Sequence, residues 1–414
     1  FLGPDGEVRY YKYINPNHDE NGLYLWDDLI SWNRSDWDND AANGVGDQDY
    51  VSNEYRSKAI IRASVNHHDW YGAISNLKYK NIIPDVTVTT GIDIRSYKGE
   101  HYREVVNLLG GDYYVDFSDD NDVSNSDRVK RIGDKVAYHN IGYNSWMGGF
   151  LQAEYSKDQL SAFFSAAGSN TTYQREDFFN YTDDSGEQKS EKASYPGSAV
   201  KVGANYNINS NMNVFANIGA LSVAPNFRSV YLNYNNTVNP EAKNEKVNSM
   251  EFGFGYTNPG VLLFGMNMDI NTNINVYNTQ WQDKQLVKTQ DNLIYNVTGV
   301  NAVHKGIELE SSVILSDLVL YGSLSLGDWR WENDVVADVT SDYDRSDTAS
   351  TYSVEIYAGG LPVGDAPQRQ IMGGLKYKTP FGLTVNPVFK LNDKHYADYD
   401  PEDMDEPWDT DADS

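Results

Sequence analysis

An alternation of apolar and polar residues with a period of two is the feature that most constrains this sequence. From Leu262 to Val276 the even-numbered positions are apolar apart from Thr272, whereas the odd-numbered positions from Asn267 to Asn275 are four asparagines and one aspartate. Because successive side chains of a strand point to opposite faces of a sheet, this pattern predicts a β-strand with one apolar and one polar face. A helix would not accommodate asparagines at this spacing without strong compensation.

The same alternation recurs along the chain and predicts a series of long strands. It is found in residues 86–95, 200–206, 213–220, 248–256, 307–313 and 318–327. Tight links with the Gly, Pro, Asn and Asp content of turns occur at residues 81–85, 156–159, 209–212, 257–260, 316–317 and 379–382. At two strands per tight link, the chain has roughly twelve strands. Long polar stretches lie between the links, and short turns at one rim with long loops at the other are typical of outer-membrane β-barrels.

A two-sheet sandwich is the alternative fold, because its strands also alternate. Sandwich strands usually have about 5–6 residues, whereas the best segments here alternate for more than ten. Long strands with a polar inner face are better suited to a wide, hydrated lumen than to a packed core. The sequence therefore predicts an all-β fold, an antiparallel transmembrane β-barrel. Pro387 lies inside the segment 383–391, where it predicts a bulge or a strand end.

Composition excludes several function classes. The 414 residues include no cysteine, which excludes disulfide scaffolds, thiol nucleophiles and iron–sulfur clusters. The 33 Lys+Arg and 60 Asp+Glu give a net charge of −27, which argues against a nucleic-acid partner. A mean hydropathy of −0.61 and the lack of any apolar run of about 18 residues exclude a transmembrane helix. Because no nucleophile elbow, phosphate-binding loop or dinucleotide fingerprint occurs, no enzyme, catalytic residue or cofactor is expected.

Three parts of the chain resemble TonB-dependent outer-membrane receptors. Residues 296–310 resemble a motif of the family's barrel, in which an Asn-rich strand start leads to a segment like the Gly-Ile-Glu-Leu-Glu of residues 306–310. Residues 223–227 and 239–246 resemble its Ala-Pro loop and the Asn-Pro segment that follows, although the usual Leu-Lys-Pro-Glu is absent. Residues 97–105 and 146–155 resemble the Bacteroidetes branch of the family.

This resemblance implies that residues 1–414 form part of a single barrel domain. Family barrels have about 22 strands, so the chain would supply roughly half, with the plug domain and the last strands outside it. The implied protein lies in the bacterial outer membrane, surrounded by its lipid, and contacts TonB through the missing N-terminal part. It would import a scarce solute of the siderophore, haem, cobalamin or glycan type. A secreted or surface β-rich glycan-binding module and a passive porin are the alternatives.

Five residues are candidate ligand contacts. Tyr231 and Tyr234 lie in a long loop and Trp281 near a strand end, where their rings would stack on a ligand ring or sugar face. Asn271 and Asn273 lie on the polar strand face and would line a solute path. The alternative for the asparagines is the general polarity of a wet lumen. The alternative for the tyrosines is the aromatic belt at the membrane interface.

Three other aromatic residues are not interpreted as ligand contacts. Tyr256, Trp329 and Trp331 are predicted to belong to the aromatic belt at the membrane interface. The acidic run 116–122 offers the oxygen ligands of calcium but lacks the EF-hand spacing, so a solvated loop is favoured and calcium binding stays open. The seven histidines have no metal-binding spacing, and a metal site is unknown.

Overall fold

A computed structural model of the protein describes residues 19, 22–34, 50–80, 82–263, 265–341, 351–397 and 399–407. Phe264, an apolar position of the pattern above, lies outside the described residues. Two helices, α1 (Trp26–Asn33) and α2 (Phe227–Val230), accompany the strands. The strands are β1 (Ile61–Lys80), β2 (Val86–Asn107), β3 (Tyr114–Val115), β4 (Val129–Lys130), β5 (Lys135–Lys157), β6 (Leu160–Asp177), β7 (Ala193–Asn207), β8 (Met212–Val223), β9 (Glu245–Leu263), β10 (Met266–Gln290), β11 (Leu293–Leu315), β12 (Leu318–Trp331), β13 (Val335–Ser341), β14 (Thr351–Ile356), β15 (Arg369–Lys378), β16 (Thr384–Val385) and β17 (Val388–Asp393). In the described part of the chain, no helix has the length and apolarity to cross a membrane.

One antiparallel sheet contains fifteen of these strands, and β3 and β4 form a separate ribbon. The order along the large sheet is β1-β2-β5-β6-β7-β8-β9-β10-β11-β12-β15-β16, with β13 paired to β11, β14 to β13 and β17 to β15. The path has twelve strands, and β13, β14 and β17 bring the sheet to fifteen, which is more than the roughly twelve predicted. Both β16 and β17 pair with β15, so they are two parts of one strand interrupted at Asn386 and Pro387. Proline has no N–H to give to the ladder, and the interruption predicted at Pro387 is confirmed.

The tight link predicted near Pro259 is wrong. Strand β9 continues past it to Leu263, and the hairpin turns just before Met266. Because Pro259 cannot donate to the ladder, the pairing with β10 skips one step there and leaves a bulge. Gly260 completes the bulge with a φ of 73°, and its N–H donates to Asp269 Oδ1 at 2.8 Å. A Pro-Gly pair with the composition of a turn is therefore accommodated inside a strand.

The residues divide into two compact units. The first comprises residues 1–69, 97–143 and 174–190, and the second residues 70–96, 144–173 and 191–414. In the first unit, helix α1 is fixed through Asn33, whose Nδ2 donates to the carbonyls of Ala59 at 2.8 Å and of Leu108 and Leu109 at 3.0 Å. The hydroxyl of Ser57 also donates to the carbonyl of Leu108 at 2.6 Å, so two side chains provide hydrogen-bond partners for these loop carbonyls. A small core of Val105, Leu108 and Val136 packs nearby.

In the second unit, the sheet keeps the two faces that the sequence predicted. Ile218, Met250 and Phe252 on the apolar face are 61%, 59% and 57% exposed. A sandwich would bury this face against a second sheet, so the sandwich alternative fails. The buried cores of the unit lie instead among the loops and strand extensions, one around Val300 and Ala337 and another around Val230.

On the polar face, aromatic rings lie across glycines of the neighbouring strand. The directly opposed pairs are Phe163 with Gly203, Phe215 with Gly253, Tyr277 with Gly306, and Tyr321 with Gly374. A Cβ added at any of these four glycines would overlap the ring. The missing side chain therefore provides the space in which each ring lies flat, and such cross-strand pairs stabilise a sheet.

We expect Gly374→Leu to lower the thermal midpoint of the folded protein in detergent. The new side chain would displace the Tyr321 ring, and overpacking of this kind costs about 1–3 kcal/mol. Its neighbour Gly373 is the matched control, because a Cβ there meets no atom within 4 Å. Gly373→Leu should leave the thermal midpoint nearly unchanged. Equal decreases of the midpoint in the two variants would show that displacement of the Tyr321 ring is not the cause.

Candidate ligand-recognition site

Tyr231 fixes the loop between β8 and β9 to β6 and to the segment that precedes β7. Asn226 Oδ1 accepts the N–H of Ser229 at 2.9 Å and begins α2. Tyr231 is only 2% exposed, and its hydroxyl donates to the carbonyl of Tyr173 at 3.1 Å and to that of Glu191 at 3.0 Å. Its ring anchors the loop in this arrangement, and its predicted ligand contact stays untested.

Tyr234 lies in a strained part of the same loop. Asn233 and Tyr234 both have positive φ, 54° and 61°, which is uncommon for residues other than glycine. Asn233 Nδ2 donates to Thr340 Oγ1 at 3.0 Å, and Asn233 Oδ1 accepts from Asn296 Nδ2 at 3.0 Å. A strained conformation persists only where its surroundings fix it, and such positions are concentrated at functional sites.

Arg228 links the strained segment to β10. Its guanidinium carbon lies 5.4 Å from the centroid of the Tyr234 ring, and Nη2 donates to the Tyr234 hydroxyl at 3.0 Å. The same nitrogen donates to Thr289 Oγ1 at 2.6 Å. Tyr234 is half-buried, and Arg228 supports its ring. Arg228 was not among the predicted contacts, because no sequence spacing connects it with Thr289.

Trp281 belongs to a second group on β9 and β10. Its Nε1 donates to Glu245 Oε2 at 2.9 Å, and Lys284 Nζ lies 4.0 Å from the centroid of its ring. The other oxygen of Glu245 accepts the N–H of Gln285 at 3.3 Å. Gln285 is buried, and its Oε1 has no hydrogen-bond partner in the described part of the chain. Buried acceptors in native proteins are nearly always hydrogen-bonded, so the open oxygen of Gln285 makes it a candidate polar contact for a ligand.

Asn271 and Asn273 lie far from the loop residues. They are on β10 near the tight turn, where Asn271 pairs with Thr257 and Asn273 with Gly255. Thr289, which Arg228 contacts, is eighteen positions farther along the same strand. At a rise of about 3.3 Å per residue this is about 60 Å. The structure therefore does not bring the asparagines together with Tyr234, and their ligand role stays a prediction.

A cavity that the sequence did not indicate lies beside β12. Its volume is about 430 Å³, and Arg330 Nη1 donates to the carbonyl of Gly360 at 2.9 Å in its wall. The N–H of Gly359 donates to Asp334 Oδ1 at 2.8 Å. The lining residues are Arg330, Asp334, Tyr357, Gly359, Gly360, Leu361, Pro362 and Pro407. The sequence did not indicate this cavity, because its lining residues come from three separate segments of the chain.

Two aromatic-belt predictions are wrong. Trp331 is buried, and its ring meets Tyr399 edge-on with centroids 5.1 Å apart. Trp329 lies on the polar face, where its Nε1 donates to the Tyr277 hydroxyl at 3.0 Å. Burial, with Asp334 nearby, raises the pKa of the Tyr399 hydroxyl. Tyr256 lies half-buried at the turn end of β9, and its belt role stays a prediction.

The acidic run 116–122 is arranged as a hydrogen-bonded loop. Asp116 Oδ2 accepts the N–H of Ala137 at 2.9 Å, and Asp122 forms an ion pair with Lys130 at 2.6 Å. Burial, followed by the charges of Asp119 and Asp177, raises the pKa of Asp120. Within the described ranges, no three His, Cys, Asp or Glu side chains are grouped to hold a metal ion.

Long antiparallel strands with an exposed apolar face and a polar face define the class of outer-membrane β-barrel proteins. A family model described as TonB dependent receptor-like, beta-barrel matches residues 3–412, so the chain belongs to this family. Members of this family lie in the outer membrane of Gram-negative bacteria and are transporters rather than enzymes. No curated protein sequence matches the chain.

Several solved structures are similar to the chain. The ferric citrate transporter FecA in its unliganded form has a TM-score of 0.52 at 12% identity, over 79% of this chain and 42% of FecA. The copper transporter OprC has a TM-score of 0.49 at 11% identity, over 83% and 53%. The ferric-catecholate import receptor Fiu from E. coli K12 has a TM-score of 0.45 at 13% identity, over 78% and 50%. The chain thus spans about half the length of these proteins.

We expect Arg228→Ala to release the strained segment around Tyr234. Loss of the two Nη2 hydrogen bonds and of the ring contact should weaken local stability by about 1 kcal/mol, which is roughly a fivefold rise in amide exchange. Hydrogen exchange of residues 231–238 measures this. Arg369→Ala, which removes an exposed ion pair with Asp393, is the control and should leave these amides unchanged. Unchanged amide exchange of residues 231–238 in the Arg228 variant would show that Arg228 does not hold this segment in place.

Proposed function

We propose that this chain is part of an outer-membrane receptor that imports a scarce solute by active transport. Membership of the TonB-dependent receptor family is the observation that carries the proposal. The geometry supports it through a large antiparallel sheet whose apolar face is exposed and whose polar face carries asparagine, glutamate and aromatic side chains. Such a wall separates hydrocarbon on one side from a hydrated passage on the other.

The orientation of this wall follows from its connections. The links between β5 and β6, between β7 and β8, and between β11 and β12 are tight, whereas α2, β13 and β14 belong to long connections at the opposite end. Outer-membrane barrels have short turns at the periplasmic rim and long loops outside. The loop with Tyr234 would then be extracellular, the apolar face would contact lipid, and Asn271 and Asn273 would line the lumen.

The solute would first meet the extracellular groups around Tyr234 and Trp281. An aromatic ring supported by a guanidinium or an ammonium offers a flat surface with polar neighbours, which is suited to a small ligand with a ring, a sugar face or a chelate. A siderophore, haem, cobalamin or an oligosaccharide each satisfies this description. A plug and a TonB-contacting segment would belong to the rest of the gene product. The assignment to the Bacteroidetes branch stays a prediction.

Solute uptake by cells with and without the gene tests the proposal. The probes are ferric citrate, a ferric catecholate, Cu²⁺, cyanocobalamin and maltoheptaose, each labelled and supplied at limiting concentration. We expect one of them to accumulate only in cells that carry the gene, and a protonophore to stop this uptake. Tyr234→Ala should weaken its binding by about 2–10-fold, as the loss of one stacking contact predicts.

The controls separate the alternatives. Tyr206→Ala removes an exposed tyrosine whose hydroxyl bonds Gln159 near a tight turn, and it should leave uptake unchanged. Uptake that continues in the presence of the protonophore would favour a passive porin. A bound oligosaccharide that never enters the cell would favour a surface glycan-binding module.

A further inference from the structure

We propose that His68 on β1 and His101 on β2 bind a divalent transition-metal ion between them. The two strands are neighbours in the sheet, and the two imidazole rings meet edge-on with centroids 5.7 Å apart. Both histidines belong to the first compact unit. This metal site is additional to the groups around Tyr234 and Trp281, and the inference does not depend on the proposed transport function.

Three alternate positions of β2 build one side of the site. Tyr97, Gly99 and His101 point to the same face of the sheet, because side chains alternate along a strand. A Cβ added at Gly99 would lie 2.5 Å from the Tyr97 hydroxyl oxygen and 3.1 Å from His101 Nε2. The tyrosine and the histidine therefore lean toward each other over the glycine, which a larger residue at position 99 would prevent.

Asn66 on β1 fixes the His101 ring. His101 Nδ1 lies 2.5 Å from Asn66 Oδ1. A side-chain carbonyl oxygen only accepts hydrogen bonds, so Nδ1 carries the proton and donates it. Nε2 then holds the lone pair with which a neutral imidazole binds a metal ion. Histidines that bind metals almost always donate their other N–H to an oxygen in this way.

Tyr97 holds the His68 ring in a similar manner. Its hydroxyl oxygen lies 2.6 Å from His68 Nδ1, and the two rings stack with centroids 5.7 Å apart. Because a hydroxyl accepts as well as donates, it can accept the N–H of Nδ1 and leave Nε2 with its lone pair. Within the described ranges, the Nε2 atoms of His68 and His101 have no hydrogen-bond partner. Two ligand nitrogens are thus available on adjacent strands.

The separation of the two rings fits one shared ion. Metal–imidazole bonds are about 2.0–2.1 Å long, so two imidazoles on one ion have centroids about 5–6 Å apart. Imidazole is a good ligand for zinc, copper and nickel, and among the divalent ions copper binds such a site most tightly. With two protein ligands the ion keeps open positions, which water or ligands that arrive with the ion would fill.

Sheet stability does not account for the arrangement of the nitrogens. Cross-strand ring pairs stabilise a sheet, but that role requires no particular nitrogen to be open. The other histidines nearby differ in this respect. His67 Nε2 lies 3.3 Å from the Tyr102 hydroxyl, and His139 Nε2 lies 2.9 Å from Glu100 Oε1. Only the pair on the face of Tyr97 combines an oxygen on each Nδ1 with an open Nε2 among these four.

Copper binding to the tag-free full gene product in detergent tests the proposal. The probe is Cu²⁺ alone. Titration gives its Kd, and electron paramagnetic resonance counts the imidazole nitrogens that bind it. We expect the wild-type protein to hold one ion with two imidazoles. His68→Ala and His101→Ala should each weaken Cu²⁺ binding at least tenfold and remove the two-imidazole spectrum. A heat-modifiable band on gel electrophoresis verifies that each variant is folded.

Further variants separate metal ligation from ring packing. Asn66→Leu removes the oxygen that fixes the His101 tautomer, and it should weaken Cu²⁺ binding about 10–100-fold. Asn66→Asp keeps an oxygen there and should bind Cu²⁺ at least as tightly as the wild-type protein. His67→Ala is the matched control, because this exposed neighbour points to the opposite face of β1. It should keep the wild-type Kd and spectrum.

Three results would overturn the proposal. The first is a wild-type spectrum without two imidazole nitrogens, and the second is a two-imidazole spectrum that persists in the His101 variant. The third is an equal loss of Cu²⁺ binding in the His67 and His68 variants. Because no solute uptake is measured, these results are independent of the transport proposal.

Discussion

The ladder of backbone hydrogen bonds between long antiparallel strands is the interaction on which the rest of this structure depends. In hydrocarbon each unpaired N–H or C=O costs several kcal/mol, so a wall in the membrane must pair its strands along their length. Strand β10, from Met266 to Gln290, pairs with β9 on one side and β11 on the other. Where a proline removes a donor, the ladder adjusts locally, through a bulge at Pro259 and an interruption at Pro387.

Once the ladder is fixed, the side chains divide into two faces with different chemistry. On the apolar face, residues such as Phe252 stay exposed. The polar face is lined by amides and carboxylates, and rings such as Phe215 lie flat over opposed glycines such as Gly253. The groups around Tyr234 and Trp281 lie at the loop end of the sheet. There, loops build the buried cores that the wall lacks, and these cores hold residues such as Arg228 and Tyr234 in defined positions.

Period-two alternation made the wall predictable from the sequence. The two faces and the break at Pro387 both follow from local chemistry. The bulge at Pro259 could not be predicted from the sequence. Proline followed by glycine is the composition of a turn, and only the register with β10 shows that the pair forms a bulge instead. The site was less predictable. The burial of Tyr231 depends on carbonyls 40 and 58 residues away, and the contact of Arg228 with Thr289 joins residues 61 positions apart.

Cysteine scanning along β11 is the most direct test of the two-faced wall. Cysteines introduced singly at Ile307, Glu308, Leu309 and Glu310 in the full gene product would be reacted in lipid vesicles with a membrane-soluble and with a water-soluble maleimide. A two-faced wall predicts that positions 307 and 309 react with the membrane-soluble reagent, and that positions 308 and 310 react with the water-soluble one. Labelling without this alternation, or with the two sets exchanged, would contradict it.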